Sequence, residues 1–220
     1  MAIILNIDTA ISTASLCLSK EALPLQFALN NNQQDHASWV HLAIKKVVTE
    51  AGLNIKALEA IAVTIGPGSY TGLRVGLSAA KGLCFALDIP LICINTLEVM
   101  AHAAKNEGGD LFCPVIDARR MEVFMAVYNK NMEVIVKPCA LIIGENSFDS
   151  ILASGKIIFL GNGTEKIKKV VCHPNAIFKN TTTTAVDMVK LSEKKFVEKK
   201  FADTAYTEPF YIKEFYSTAR

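Results

Sequence analysis

Five glycines lie within residues 64–83, TIGPGSYTGLRVGLSAAKGL, directly after the apolar run AIAVTI. A buried strand that leads through a glycine turn into a helix is a common phosphate-binding arrangement, because the backbone N–H groups of the turn point at the anion. Gly66, Gly68 and Gly72 give G-x-G-x-x-x-G, one residue longer than the dinucleotide fingerprint. The residues around Lys81 do not complete a P-loop either. Neither established phosphate loop is therefore predicted.

Ser69 lies in the middle of this turn, and its hydroxyl has two candidate roles. As the nucleophile of a G-x-S-x-G elbow it would need glycine at positions 67 and 71, where Pro67 and Thr71 stand. As a helix cap, Ser69 or Thr71 would accept a hydrogen bond from an N–H group of the first turn. We favour the cap and a plain strand-to-helix turn. An anion-binding turn of another type stays open as the alternative.

The histidines and cysteines form no recognisable catalytic or metal-binding pattern. No two histidines are spaced as H-x-x-x-H, and no two cysteines as C-x-x-C. Most cysteines lie in apolar runs, which is typical of reduced thiols in a cytosolic protein rather than of disulfides or a zinc site. The residues concerned are His36, His41, His102 and His173, and Cys17, Cys84, Cys93, Cys113, Cys139 and Cys172.

The composition is that of a compact globular protein. The chain has 220 residues, of which 51% are hydrophobic and 20% charged. No apolar run reaches the roughly 18 residues that a membrane-spanning helix needs. The first ten residues, MAIILNIDTA, lack a basic segment and include Asp8, so we expect no signal peptide. We expect a cytoplasmic protein without a membrane contact.

The net charge of +2 is unevenly distributed along the chain. Residues 156–220 contain 12 Lys and Arg against 7 Asp and Glu, and an excess of this kind can indicate contact with nucleic acid. Its densest part, KLSEKKFVEKKF, interleaves glutamates with the lysines. We therefore favour a solvated helix, with its apolar residues inward: Val186, Val189, Phe196 and Val197.

The hydrophobic periodicity predicts an α/β protein with two similar lobes, the second of them reduced. We place the lobes at residues 1–108 and 109–220, with the last fifteen or so residues packing back on the first lobe. The first lobe has strands at 3–10, 13–20, 23–30, 60–65 and 90–95, and helices at 35–51, 71–87 and 96–106; the second has strands at 111–118, 121–129, 133–138 and 156–163.

The helix at 71–87 has two adjacent apolar faces, whereas a surface helix usually has one. Glycine within a helix costs about 1 kcal/mol relative to alanine. Gly72 and Gly76, one turn apart, therefore indicate a closely packed neighbour. That neighbour is either the 35–51 helix of the same chain or a helix of another subunit. Trp39, at the edge of the buried stripe of the 35–51 helix, is a candidate interface anchor.

Five segments together resemble the TsaB family, also called YeaZ, of the actin-like ATPase superfamily. The resemblance covers residues 3–214, and its most specific part is GPGSYTGLRVGL. It implies two actin-like (ribonuclease H-like) lobes, each a mixed sheet flanked by helices. The segments are ILNIDTAISTASLCL, GPGSYTGLRVGLSAAKGL, INTLEVMA, PVIDARRMEVFMAVY and EPFYIKE.

The resemblance also implies a function without catalysis by this chain. TsaB proteins are the non-catalytic partners of TsaD, which places a threonylcarbamoyl group on the adenosine 3′ of the anticodon of tRNA. A TsaE-type ATPase completes the complex, tRNA is reached through it, and we expect a homodimer when the partners are absent. The family contact uses helices of the N-terminal lobe, and the residues predicted for it are Trp39, Gly72, Val75, Gly76, Ala79 and Leu83.

TsaD-type proteins bind a metal through N-H-x-E-G-H, and the matching segment here is residues 95–100, NTLEVM. Thr96 and Met100 replace the two histidines, and neither is a good ligand for a hard metal ion. We therefore expect no metal and reject a metallopeptidase function.

The resemblance implies a degenerate nucleotide site. Asp8 and Thr9 match the first phosphate motif of actin-like proteins; in the second, Asp117-Ala118-Arg119, arginine replaces the glycine that lets the backbone approach a phosphate. Gly161 and Gly163 loosely match the adenosine motif of these proteins. Alternatively, both aspartates only shape hairpins. We expect no cofactor of the chain's own, and leave open a nucleotide between subunits. The alternative function is an autonomous ATPase or small-molecule kinase.

Overall fold

The computed structural model describes residues 2–32, 35–179 and 181–213. These form two compact units. Among the described residues, one comprises those up to Val99 together with Thr183–Phe210, and the other comprises those within Met100–Thr182 together with residues 211–213.

The first unit contains a five-stranded mixed sheet. Its elements are β1 (Ile3–Asp8), β2 (Ala14–Lys20), β3 (Leu23–Asn30), α1 (His36–Glu50), β4 (Ala60–Gly66), α2 (Tyr70–Leu87) and β5 (Leu91–Asn95); the boundary with the second unit falls within the next helix, α3 (Thr96–Ala103). The strand order is β3-β2-β1-β4-β5. The first three strands form an antiparallel meander, and β4 and β5 continue the sheet in parallel with β1. This confirms the predicted α/β architecture of the N-terminal half.

The second unit repeats this topology with shorter helices. Its elements are β6 (Leu111–Asp117), β7 (Glu122–Asn129), β8 (Val134–Ile142), α4 (Asp149–Leu152), β9 (Ile157–Leu160), α5 (Thr164–Lys168) and β10 (Ala176–Lys179). The strand order is β10-β9-β6-β7-β8, so β6 takes the place of β1 and β8 the place of β3. The four predicted strands are confirmed, whereas α4, α5 and β10 were not predicted because they are only four or five residues long.

Helix α6 (Val189–Val197) belongs to the first unit. Its buried residues Val189 and Leu191 pack with Ile4 and Ile92 on the face of the first sheet opposite to α1 and α2. The single lobe boundary predicted at residue 108 differs from this division, because α6 needs the apolar face of the first sheet. Val186 is 37% exposed and Val197 is 70% exposed, so the prediction that these two residues point inward was wrong.

The ends of α1 and α2 follow from local chemistry. At α2, the hydroxyl of Ser69 accepts a hydrogen bond of 3.2 Å from the N–H of Gly72, as predicted for a cap. Asp35 lies at the N-cap position of α1, where its side chain makes no cap hydrogen bond. Gly52 follows α1 with φ +68°, a conformation that favours glycine.

Two further expectations concern the whole chain. All six cysteines, each within the described residues, are free thiols. Among the helices that the structure describes, none combines the length and the apolar character needed to cross a bilayer.

Candidate functional site

The glycine face of α2 packs on the turn that follows β1. The hydroxyl of Thr9 donates a 2.7 Å hydrogen bond to the carbonyl oxygen of Gly72. A Cβ atom on Gly72 would overlap the carbonyl oxygen of Thr9, and one on Gly76 would overlap the Thr9 hydroxyl. Both glycines are buried. The inference that they admit a closely packed neighbour holds, but that neighbour is the Thr9 turn of the same chain, neither the α1 helix nor another subunit.

The other residues predicted for the partner interface differ in exposure. Ala79 is only 6% exposed and belongs to the core under α1 and α2. Trp39, Val75 and Leu83 are half-buried against that core, so part of each side chain remains accessible.

The outer side of α1 and α2 carries exposed apolar residues that sequence reasoning missed. Phe85 on α2 is 88% exposed, and Leu42 on α1 is 72% exposed. A Cβ atom on Gly82 would meet no atom within 4 Å, so this glycine faces open space. The missed signal was Phe85 itself, which lies seven residues after the polar Ser78 and hence on the same side of the helix.

A groove of about 370 Å³ runs beside α1, and Leu83 on α2 forms part of its wall. Both apolar and polar residues of α1 and of the connection to β4 line this groove. The lining residues are His41, Ile44, Lys45, Val48, Thr49, Leu53, Asn54, Ile55 and Leu83.

Asp8, the last residue of β1, has a buried carboxyl group that accepts hydrogen bonds from the same chain. Its Oδ1 atom accepts hydrogen bonds from the Thr64 hydroxyl at 2.7 Å and from the Ala10 N–H at 3.1 Å. Burial raises the pKa of Asp8 above its usual value, the two hydrogen bonds oppose this rise, and the charge of Asp187 adds to it. The structure thus confirms the local hydrogen bonding that was the alternative role for Asp8.

Asp117 ends β6 in the equivalent place but carries an ion pair. Its Oδ1 atom accepts hydrogen bonds of 2.6 Å from the Lys166 ammonium group and from the Arg119 N–H. Partial burial raises the pKa of Asp117, but the Lys166 and Arg119 interactions outweigh it, and the pKa lies below its usual value. The Oδ1 atom of Asn162 accepts a hydrogen bond of 2.9 Å from the N–H of Asp117. Lys166, which the sequence did not single out, therefore supplies the positive charge here.

Gly161 and Gly163 make room for the backbone of β6. A Cβ atom on Gly161 would overlap the carbonyl oxygen of Val115 and the methyl group of Met100. One on Gly163 would lie 3.3 Å from backbone carbonyl carbons of β6. Their observed role is close packing.

The residues at the histidine positions of the TsaD motif do not fit a metal ion. Thr96 is buried, and its hydroxyl has no hydrogen-bond partner within the described residues. Met100 is 2% exposed, and its thioether is a soft ligand. Within the described part of the chain, no group of three or more His, Cys, Asp or Glu residues is arranged to hold a metal.

The repeated sheets define a two-lobed α/β protein of the actin-like (ribonuclease H-like) fold. YeaZ from Pseudomonas aeruginosa has the same fold, with a TM-score of 0.84 at 23% sequence identity, over 96% of this chain and 100% of that chain. The family model described as "TsaD: tRNA N6-adenosine threonylcarbamoyltransferase" matches residues 30–208.

Two curated relatives indicate which family this is, and both are named tRNA threonylcarbamoyladenosine biosynthesis protein TsaB. The Bacillus subtilis protein is 29% identical over 76% of this chain and 74% of its own length. The Escherichia coli protein is 32% identical over 58% of this chain and 55% of its own. A tRNA N6-adenosine threonylcarbamoyltransferase from Koribacter versatilis is 40% identical over 38% of this chain and 23% of its own. The chain belongs to the TsaB (YeaZ) family, which is involved in tRNA threonylcarbamoyladenosine biosynthesis.

Proposed function

We propose that this chain is a non-catalytic subunit that binds a TsaD-type threonylcarbamoyltransferase and supports its action on tRNA. The observation that carries this proposal is the exposure of Leu42 and Phe85 on neighbouring helices. A contiguous exposed apolar patch with polar residues around it marks a site of protein association, and we assign Leu42 and Phe85 to one such patch. The similarity to both TsaB-named and transferase-named proteins supports a related transferase as the partner.

The docking site is the α1–α2 surface, which we define as Leu42, Ser78, Gly82, Leu83 and Phe85. On α1, Leu42 directly follows His41, and on α2, Phe85 directly follows Cys84. His41 and Leu83 line the same groove. Ser78 and Gly82 are small and exposed, so a partner helix can approach α2 closely between the two apolar residues. An aromatic residue that becomes buried against a partner is a common interface hot spot.

The alternative function, an autonomous ATPase or small-molecule kinase, has less support. A nucleotide phosphate or its metal ion would need the Asp117 carboxylate, which Lys166 already neutralises. It would also need Asp8, whose carboxyl oxygen is occupied by two hydrogen bonds in a buried setting. We expect a TsaE-type ATPase to supply ATP hydrolysis to the complex and tRNA to be held by the complex as a whole.

A reconstitution tests the proposed function. The chain, its TsaD-type and TsaE-type partners from the same organism, tRNA and threonylcarbamoyl-adenylate are combined, and the modified adenosine is measured by mass spectrometry. Modification should require the chain, and the chain alone should show no ATP turnover above a buffer control. Full modification without the chain, or steady ATP hydrolysis by the chain alone that Asp117→Asn abolishes, would refute the proposal.

A further inference from the structure

The groove beside α1, which we call the α1 groove, has a wall formed by the way the helix ends. The N–H of Leu53 donates a 3.1 Å hydrogen bond to the carbonyl oxygen of Val48, and Gly52 between them has φ +68°. This bond, together with a residue in the left-handed conformation, is a common helix stop, and it brings the apolar residue after the glycine against the last helical turn. Leu53 and Val48 therefore line the groove together.

The connection that follows Leu53 forms another part of the wall. The Oδ1 atom of Asn54 accepts a 2.9 Å hydrogen bond from the N–H of Lys56, and the carbonyl oxygen of Asn54 accepts one of 2.9 Å from the N–H of Ala57. These bonds hold a short 3₁₀ turn, Ile55–Ala57, whose first residue lines the groove. The cavity of about 370 Å³ is thus preformed, and its volume lies at the lower end of the range of binding pockets.

The α1 groove contains an ammonium group that no carboxylate neutralises. Lys45 is exposed, and the residues that line the groove with it include no Asp or Glu. Of the ion pairs among the described residues, none includes Lys45. Glu50, the only acidic residue of α1, is paired instead with Lys46, at 3.9 Å between Oε1 and Nζ. A carboxylate that enters the groove would therefore meet an uncompensated positive charge.

Two ordinary roles of a lysine on a helix have to be separated from binding. A lysine can interact with the carbonyl end of its helix, but this effect is confined to the last turn, and Lys45 precedes the final residue, Glu50, by five positions. A lysine can also cover apolar surface with its methylene groups. That role depends on the stem of the side chain and not on its charge, so a variant that keeps an apolar stem separates it from recognition of a carboxylate.

We propose that the α1 groove receives an apolar side chain of the TsaD-type partner together with a carboxylate beside it, and that the Lys45 ammonium group selects this carboxylate. The inference rests on the proposed function and adds the chemistry of the partner. Leu83 belongs to both the groove and the α1–α2 surface, so an amphipathic partner helix on that surface adjoins the groove. A partner with a basic or neutral group there would bury the Lys45 charge without compensation, which disfavours its binding.

Two small probes test this chemistry on the chain without its partner. Phenylbutyrate carries an aromatic ring and a carboxylate, and phenylbutyramide has nearly the same shape without the charge. In methyl NMR spectra both should shift the signals of Ile44, Ile55 and Leu83, with phenylbutyrate binding at least about threefold more tightly. Lys45→Met keeps an apolar stem and should abolish this preference. Equal affinities for the wild type, no shift of these three signals, or a preference that Lys45→Met retains would overturn the proposal.

Calorimetry with the TsaD-type protein tests the same residue in the complex. Lys45→Glu should weaken binding at least about tenfold, and Lys45→Arg, which keeps the charge, should stay within about twofold of the wild type. The matched control, Lys190→Glu, makes the same change of charge at an exposed lysine of α6, on the other face of the first sheet, and should also stay within about twofold. Wild-type affinity of a folded Lys45→Glu variant would overturn this inference alone, whereas a wild type that does not bind the TsaD-type protein would refute the proposed function as well.

Discussion

The turns that follow β1 and β6 occupy equivalent places in the two sheets, yet they are stabilised in opposite ways. After β1, the α2 helix approaches so closely that two of its residues, Gly72 and Gly76, have no room for a side chain. Asp8 there is buried beside hydroxyl and N–H donors and forms no ion pair with any residue that the structure describes. After β6, Asp117 is partly exposed and bound to the Lys166 ammonium group.

The two carboxyl groups are therefore satisfied in different ways by the chain itself. In the first unit the carboxyl group is enclosed by apolar packing, which favours its neutral form. In the second unit the carboxyl group of Asp117 keeps its charge and pairs with the ammonium group of Lys166. Both turns therefore act as structural elements in our account, and the proposed function is placed on the exposed α1–α2 surface.

The largest effect is expected from Gly72→Ala. The added methyl group would overlap the Thr9 carbonyl oxygen, a backbone atom that cannot rotate away. We expect a loss of about 3 kcal/mol in the free energy of unfolding, at the upper end of overpacking effects. Urea denaturation checks this. A variant as stable as the wild type would show that the contact between α2 and the Thr9 turn is loose.

Asp8→Asn should produce the next largest effect, and its sign depends on pH. A carboxyl group with a raised folded-state pKa stabilises the fold fully below its unfolded pKa, about 4, and loses this contribution as the pH rises. Asparagine keeps the Oδ1 acceptor and cannot ionise. The variant should therefore gain stability relative to the wild type between pH 4 and neutrality, as measured by thermal unfolding across that range. A constant difference at every pH would contradict the assigned environment.

Lys166→Met should have a smaller effect of opposite pH dependence. It removes the ion pair with Asp117, which we value at about 1 kcal/mol because Asp117 is partly exposed to water. Since the pKa of Asp117 is lowered in the folded state, the wild type loses this contribution as the pH falls below about 4, and the variant should lack that loss. Denaturation at neutral and acidic pH separates the two. A variant that loses as much stability in acid as the wild type would argue against the pair.

Gly82→Ala is the matched control for the glycines of α2 and should have the smallest effect. Its Cβ atom would meet open space, so only helix propensity changes. We expect a gain of about 0.5–1 kcal/mol, against the loss at Gly72. Denaturation of both variants side by side tests the distinction between the inner and outer sides of the helix. A loss at Gly82 would show that another group packs against this position.

Sequence periodicity could predict the strands and long helices, because these depend on local alternation of apolar and polar residues. It could also predict that Gly72 and Gly76 adjoin a close neighbour. It could not identify that neighbour as Thr9, 63 residues before Gly72, because nothing in the helix encodes which distant turn packs against it. Likewise Lys166 lies 49 residues from Asp117, so their pairing becomes visible only when β6 and α5 are folded.

The central claim is that the α1–α2 surface binds the transferase subunit. Phe85→Glu introduces a charge at its most exposed apolar residue, and Val197→Glu does the same at a 70% exposed position on α6, outside that surface. Calorimetry with the TsaD-type protein should show at least about tenfold weaker binding for Phe85→Glu. For Val197→Glu the change should stay within about twofold, and circular dichroism should confirm that both variants are folded. Wild-type affinity of a folded Phe85→Glu variant would contradict the account.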